Sequence, residues 1–481
     1  MKQILGNGAR LVAGMVLLSS ITAAALPARA ADETTDKVDK LFAAWDRTTS
    51  PGASLAVVKD GKIIYERGYG MAKIEDGIVN TPDKVFDIGS VSKQFTAASL
   101  AMLVREGRVG LEDDIRKYIP EMPAYERPVT VNHLLHHTSG LRDYNELLSL
   151  AGFRPESDSP TVEEALEVVR RQKKLNYAPG DEYSYTNTGF FLLSQIVERV
   201  SGRTLNAFAQ ERIFKPLGMT KTLFQDDHTQ IIKDRATGYA EGEDGAFKIN
   251  MSNWDETGDG NVYTTVRDLY LWDQAFYTGA LGKDLMDMLQ TTGVLNSGKP
   301  IDYAWGLVVT EYKGLKVVEH GGAWVGFRAA LVRFPEQKFS VIILANLDSI
   351  DPSGLAFKVA DIYLAGQLKE PEKGEAKREG RAEAARAAIT VPAAELAAYG
   401  GAYVSEELLD AKYLLSVDKG TLVLKTRSTP QAELKAMAPD KFTIPGYGLD
   451  IEFMRGKGGR VTGFTVSVGR AAGIAFSRAV R

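Results

Sequence analysis

Apolar and polar positions alternate along Ala53 to Gly70, "ASLAVVKDGKIIYERGYG", on either side of Asp60-Gly61. That pattern predicts two strands joined by a tight turn. A second strand-like group lies far downstream. "YAWGLVVTEYKGLKVVEHGG" and "FRAALVRFPEQKFSVIILANL" read as four further strands, the last one ending in the continuous apolar run Val341 to Ala345. Between the two groups the periodicity is helical. Phe95, Ala98, Leu100, Ala101, Met102, Leu103 and Val104 leave no polar face, as in a helix buried on all sides, and Gly107 follows where a C-terminal cap is expected. Thr265 with Asp268 marks the start of another helix, reaching Phe276. The expected class is α+β: one antiparallel sheet assembled from both ends of a domain, flanked by helices and interrupted by a largely helical subdomain.

After this domain the pattern changes. Lys369 to Ala388, "KEPEKGEAKREGRAEAARAA", is low in complexity and rich in charge, and residues 369–390 read as a solvated linker. Beyond it, over residues 391–481, short strand-like runs recur between turns, with Leu422 and Leu424, Ile451 and Phe453, and Phe464, Val466 and Val468 alternating as half-buried strands do. A small all-β antiparallel barrel or sandwich is expected there.

At the other end, Lys2 and Arg10 precede an apolar stretch, Leu11 to Ala25, that closes in Ala28-Arg29-Ala30. Residues 1–30 have the form of a secretory signal peptide, cut before Ala31, so residues 31–368 are expected to form the first mature domain of a secreted or periplasmic protein. No later segment has the ~20 uncharged residues of a membrane span. The chain carries 58 bases and 62 acids, and loss of the leader's three bases leaves a net charge of about -7. Nothing in it resembles the basic face that nucleic acid requires. With no cysteine, a disulfide framework, a thiol nucleophile, a thiolate metal site and a lipidated N-terminal cysteine are all excluded.

Candidate chemistry begins at the mouth of the buried helix, where "GSVSK" places Ser90 and Lys93 three apart and so on one face. A buried lysine must lose its proton or gain a partner, and a neutral lysine can take the proton of a serine hydroxyl. Ser-x-x-Lys alone is weak: it is expected about twice by chance in a chain of this length. It occurs twice, and the second copy, Ser416 to Lys419, falls at a strand end without companions. The first copy has companions. Tyr185-Thr186-Asn187 is the one Tyr-x-Asn in the chain, and His320-Gly321-Gly322 is the one His-x-Gly.

With these three motifs in this order, and with "LLHHTSGL", "GRVGLEDDIRKYIP" and "PGDEYSYTNTGF" around them, the sequence resembles the serine β-lactamase and penicillin-binding superfamily over about Lys37 to Leu368. The similarity is to the branch of class C β-lactamases, DD-peptidases, D-aminopeptidases and esterases, some of which carry an appended C-terminal barrel. It implies that Ser90 is the nucleophile, Lys93 its base, Tyr185 the proton donor to the leaving group and Asn187 the residue orienting Lys93 and substrate. It also implies an oxyanion hole from the backbone N–H groups of Ser90 and Ala323, with Gly321 and Gly322 lining the substrate, and no metal or organic cofactor. His320 stands where the β-lactamases have a lysine, so the resemblance favours an exported hydrolase of D-amino-acid peptides or peptidoglycan fragments, with a small-molecule or short-peptide substrate. An esterase or weak class C-like β-lactamase is one alternative, and a penicillin-binding sensor that acylates without turnover is another. The barrel is a candidate surface for homo-oligomers. Among the other residues, Tyr183 reads as a packing residue whose ring could also approach the site, His133, His136 and His137 as structural, His228 as a lone surface residue, and Trp254, Tyr263 and Trp305 as either cleft or core.

Overall fold

The computed structural model describes residues 33–369 and 389–479. The leader expected at 1–30 and most of the expected linker therefore lie outside the described residues. A six-stranded antiparallel sheet runs in the order Val308–Tyr312, Leu315–Trp324, Phe327–Phe334, Phe339–Ala345, Ala53–Lys59 and Lys62–Tyr69. The first and last parts of the domain meet at its centre, where Ala53 pairs with Ala345 and Lys59 with Phe339. The turn read at Asp60-Gly61 is there, with φ of 48° and 75°, the left-handed pair that a two-residue hairpin loop requires.

The central strands are buried on both faces, which is why they read as unbroken apolar runs. On one face Leu55, Val57, Val332, Val341 and Ile343 pack with Val38 and Phe42 of the helix Glu33–Phe42 and with Leu355 and Val359 of the helix Pro352–Tyr363. On the other, Ala56, Val58, Leu331, Ile342 and Leu344 belong to a larger core with Phe95 and Leu100 of the helix Lys93–Arg105 and with Leu269 and Trp272 of the helix Val266–Thr278. Thr265 caps the latter helix as expected, its hydroxyl accepting from the Asp268 N–H at 3.0 Å. The helical subdomain carries the helices Tyr144–Ala151 and Asn187–Ser201, both of which reach the site described below.

Gly401 to Arg478 forms a closed eight-stranded antiparallel barrel, sealed where Tyr403 pairs with Arg478. Its interior is filled by Tyr403, Tyr413, Phe442, Phe453, Phe464 and Phe476, with ring centroids as close as 4.3 Å. It is thus a packed core rather than a ligand cup. The barrel sits against the helix Tyr144–Ala151. Buried Arg142 donates to Gln172 Oε1 at 2.9 Å, to Glu407 Oε1 of the barrel at 3.2 Å and to the Gly473 carbonyl at 3.3 Å, while the Tyr413 hydroxyl donates to the Leu150 carbonyl at 2.8 Å. Among the described residues no helix is long and apolar enough to cross a membrane.

Candidate active site

The helix read from "GSVSK" begins with one tight turn, Gly89–Ser92, before Lys93–Arg105 proper. Asp87 accepts from the Gly89 N–H at 2.8 Å, and the Ser92 hydroxyl accepts from the Val262 N–H at 3.1 Å, so the turn is tied down on both sides. Gly89 has φ +49° and a Cβ there would lie 2.8 Å from Ala323 N. Opposite, a Cβ on Gly322 would lie 2.0 Å from the Ile88 carbonyl oxygen and 3.2 Å from Ser90 N. Both glycines are needed because the turn and the edge of the strand Leu315–Trp324 touch backbone to backbone. That contact brings the N–H-bearing atoms of Ser90 and Ala323 to one place.

Lys93 is fully buried, and its Nζ donates to Ser90 Oγ at 3.0 Å, Asn187 Oδ1 at 2.9 Å and the Asp259 carbonyl at 2.7 Å. The Tyr185 hydroxyl donates to the same Ser90 Oγ at 2.7 Å. Ser90, Lys93, Tyr185 and Asn187, scattered in the sequence, are therefore one hydrogen-bonded group. Burial pushes Lys93 down to about 8, with Asp259 and Asp143 opposing. Burial pushes Asp259 up to about 6, with Lys93 opposing. Tyr185 is driven far above the usual phenol range by burial, and its bond to Ser90 acts the other way.

His320 lies beside this group without bonding to it. Its Nδ1 is 2.6 Å from the Gly321 carbonyl and its Nε2 is 3.0 Å from the Tyr303 hydroxyl. A nitrogen facing a carbonyl must carry a proton, and Nε2 can then accept from the Tyr303 hydroxyl when the ring is neutral. Burial, then the nearby Lys93 charge, pushes His320 down to about 4. Gly321, Gly322 and Ala323 line an open cleft of ≈ 740 Å³ together with Ser90, Tyr185 and Arg470. A tighter cavity of ≈ 40 Å³ also reaches Ser90 and is lined by Trp254, Glu256, Asp259, Asn261 and Trp324. Both carboxylate oxygens of Glu256 are buried without a hydrogen-bond partner, and burial pushes the group up to about 8.

The remaining sequence candidates divide. The three histidines of "LLHHTSGL" and its flank point apart. His133 Nδ1 accepts from the Thr130 N–H in a helix cap, and the His136 ring nitrogens lie 3.1 and 3.2 Å from the carbonyl oxygens of Asn132 and Thr291. His137 packs its ring 4.3 Å from that of Tyr185. Trp254 lines the cavity, whereas Tyr263 and Trp305 are core residues. Two expectations need correction. Tyr183 is 43% exposed rather than a packing residue, and its ring lies beside the site, with centroids 6.3 Å from His137 and 6.0 Å from Tyr303. His228 is not alone: its Nδ1 lies 2.9 Å from Asp255 Oδ2, a partner 27 residues away.

Sequence reading missed Asp143, Asp259, Tyr303 and Arg470. Asp143 caps the helix Tyr144–Ala151 and also accepts from the Asn187 N–H at 2.7 Å. Its position before that helix was the available signal. The others carried none, since each owes its place to long-range packing.

Residues 38–362 match the beta-lactamase family. The chain belongs to that family of serine hydrolases. It is 34% identical over 326 residues to a D-aminopeptidase of Brucella anthropi, covering 66% of this chain and 60% of that protein. Against penicillin-binding protein 4* of Bacillus subtilis it is 26% identical over 424 residues, covering 84% and 90%. The octameric penicillin-binding protein homologue from Pyrococcus abyssi superposes with a TM-score of 0.61 at 25% identity, over 92% of this chain and 98% of that one. The family member described here thus shares its fold, barrel included, with a penicillin-binding homologue, while it spans 60% and 56% of the length of two D-aminopeptidase relatives.

Proposed function

We propose that the protein hydrolyses amide or ester bonds through an acyl-enzyme on Ser90, with D-aminoacyl peptides or amides as its substrate class. The observation that carries this reading is the convergence of Lys93 Nζ and the Tyr185 hydroxyl on Ser90 Oγ. With Lys93 brought down to about 8, its neutral form takes the Ser90 proton as Oγ bonds to the carbonyl carbon. The Ser90 and Ala323 N–H groups hold the oxyanion, each such donor being worth about 3 kcal/mol in the transition state. Tyr185 then gives its proton to the leaving nitrogen or oxygen as that bond breaks, and is resupplied from Lys93. Water reverses the sequence and frees the acid.

Because Tyr185 lines the wide cleft, the leaving group belongs there and the acyl side chain in the tight cavity. Glu256, unpartnered at that end, offers an acyl amine a hydrogen-bonding partner, and a charge only once the arriving ammonium brings its raised pKa down. The neutral His320 offers a substrate carboxylate no charge, which ranks β-lactam turnover low. The similarity to D-aminopeptidases supports the same choice. Similarity to a penicillin-binding protein across both domains favours one second reading, an acylated protein that turns over poorly. An exported enzyme that self-associates through its barrel, as the octameric homologue suggests by analogy, completes the proposal; fractionation of cells and light scattering test those two parts.

Initial rates on a D-alanine anilide, its L-counterpart, a nitrophenyl ester and a chromogenic cephalosporin, for the mature protein and Ser90→Ala, test the reading. Activity on the D-anilide that vanishes in Ser90→Ala is the expected result. Equal rates in both proteins would overturn it, and one covalent equivalent without turnover would select the second reading.

A further inference from the structure

The turn between the barrel strands Val461–Val468 and Ala471–Arg478 reaches back to the first domain. It consists of Gly469 and Arg470. Arg470 Nε donates to Glu146 Oε1 at 3.1 Å, and its Nη1 lies 3.4 Å from Asp143 Oδ2. Its carbonyl accepts from the Asp143 N–H at 3.3 Å and from the Asn176 side-chain amide at 2.8 Å. The approach is close: Gly469 has φ +44°, and a Cβ there would lie 2.5 Å from Glu146 Oε1. Held in this way, the guanidinium carbon stands 5.8 Å from the Tyr185 ring centroid and lines the cleft that Ser90 opens into.

Among the described residues no other permanent charge takes this position. His320 is neutral, and Lys93 must lose its charge to act as a base. Arg328 also lines the cleft, but its Nη1 is turned onto the carbonyls of Val325 and Phe327. Asp143, which Arg470 touches, accepts from the Asn187 N–H, and Asn187 in turn accepts from Lys93.

We propose that Arg470 makes the barrel part of the active site: as a positioning residue, it fixes the Asp143–Asn187–Lys93 chain and lends Tyr185 and Ser90 the positive charge under which their oxygens become anionic. The inference rests on the serine-hydrolase reading above. The titratable groups facing Tyr185 and Lys93 are Asp143, Asp259, His137, Tyr303, His320 and Arg470. The two aspartates favour a proton on both groups, and Arg470 opposes it. Without Arg470, Lys93 holds its proton to higher pH and less of the base is free.

The test uses the full chain and compares wild type, Arg470→Met, Arg470→Lys and Arg470→Met with His320→Lys. For each, kcat and KM are measured from pH 6 to 10 on a D-alanine anilide, an uncharged nitrophenyl ester and a carboxylate-bearing cephalosporin. Arg470→Met is expected to lose about 10²-fold in kcat on every substrate it turns over, with KM little changed and the limb near pH 8 moved upward. Arg470→Lys should recover most of the rate and the limb, and His320→Lys should recover part of both. A loss confined to the KM of the carboxylate-bearing substrate would make Arg470 a substrate ligand and overturn the proposal, as would an unmoved limb. Should Arg470→Met melt below the assay temperature, the limb in Arg470→Gln against Arg470→Lys decides instead. Arg427→Ala, which removes an exposed barrel contact to Asp158, controls for looser docking and should keep the limb in place. Equal rates in wild type and Ser90→Ala would instead defeat the hydrolase reading itself.

Discussion

Lys93 is fully buried and spends its three donors on Ser90, Asn187 and the Asp259 carbonyl. Because its pKa is lowered to about 8, the fraction of free base grows as pH rises through that value. The expected kcat/KM profile therefore climbs from pH 7 and levels off above about 8, and Lys93→Met flattens it at a rate lower by about 10³-fold or more. His320 makes the opposite prediction. With its pKa lowered to about 4 it is already neutral above pH 5, so no inflection near 6.5 is expected, and His320→Gln should leave the limb in place. His320→Lys is expected to raise turnover of carboxylate-bearing substrates, measured as kcat/KM on a cephalosporin. These residues were legible in the sequence because each sits in a short motif of unusual composition. Asp259 and Arg470 were not, for they are ordinary residue types that become special only by burial and by contacts as much as 324 residues away.

Elements matter here chiefly where two backbones meet. The turn Gly89–Ser92 and the strand edge at Gly322 approach so closely that a methyl on Gly322 would overlap the Ile88 carbonyl. Gly322→Ala must push the strand from the turn and pull Ala323 N away from Ser90 N. A fall of about 10²-fold in kcat with a small change in melting temperature is expected, read from steady-state rates and thermal unfolding of the same preparation. The same turn depends on Asp87, which is fully buried, accepts from Gly89 and is pushed up to about 7 by burial. The folded protein thus keeps a proton that the unfolded chain releases near ~3.9, and this contribution to stability is lost as pH rises from about 4 to about 7. Asp87→Asn, which keeps the acceptor and removes the charge, should gain melting temperature over wild type at pH 8 and little at pH 4. The sheet and the buried helix were readable because their apolar periods are strict. Which backbones would touch was not, since glycine announces freedom of approach and not its partner.

At the scale of the whole molecule the question is why a barrel with a packed aromatic interior sits on a hydrolase. Its interior is spent on packed aromatic rings, so what it offers is its rim, and the rim carries Glu407, Asp410, Arg427 and Arg470 to the first domain. The alternation of strands beyond residue 391 was visible in the sequence. Closure through Tyr403 and Arg478, and the placement of one turn beside Ser90, could not be, because both join segments that no local pattern links. The contacts differ in worth. Arg171–Asp410 and Arg427–Asp158 each include an exposed partner and should contribute at most about 1 kcal/mol. Arg142–Glu407 is only 2% and 8% exposed, and removing one member leaves a buried charge at a cost of about 3–5 kcal/mol. Glu407→Ala is therefore expected to split a single unfolding transition into two, a loosened barrel and a first domain, in calorimetry where Arg427→Ala keeps one. If docking is what presents Arg470, the same Glu407→Ala protein should also lose kcat in proportion to the undocked fraction, and recover it as the temperature is lowered and the barrel returns to the helix Tyr144–Ala151. A Glu407→Ala enzyme with two transitions and full activity would show that the barrel stabilises the fold without serving the site.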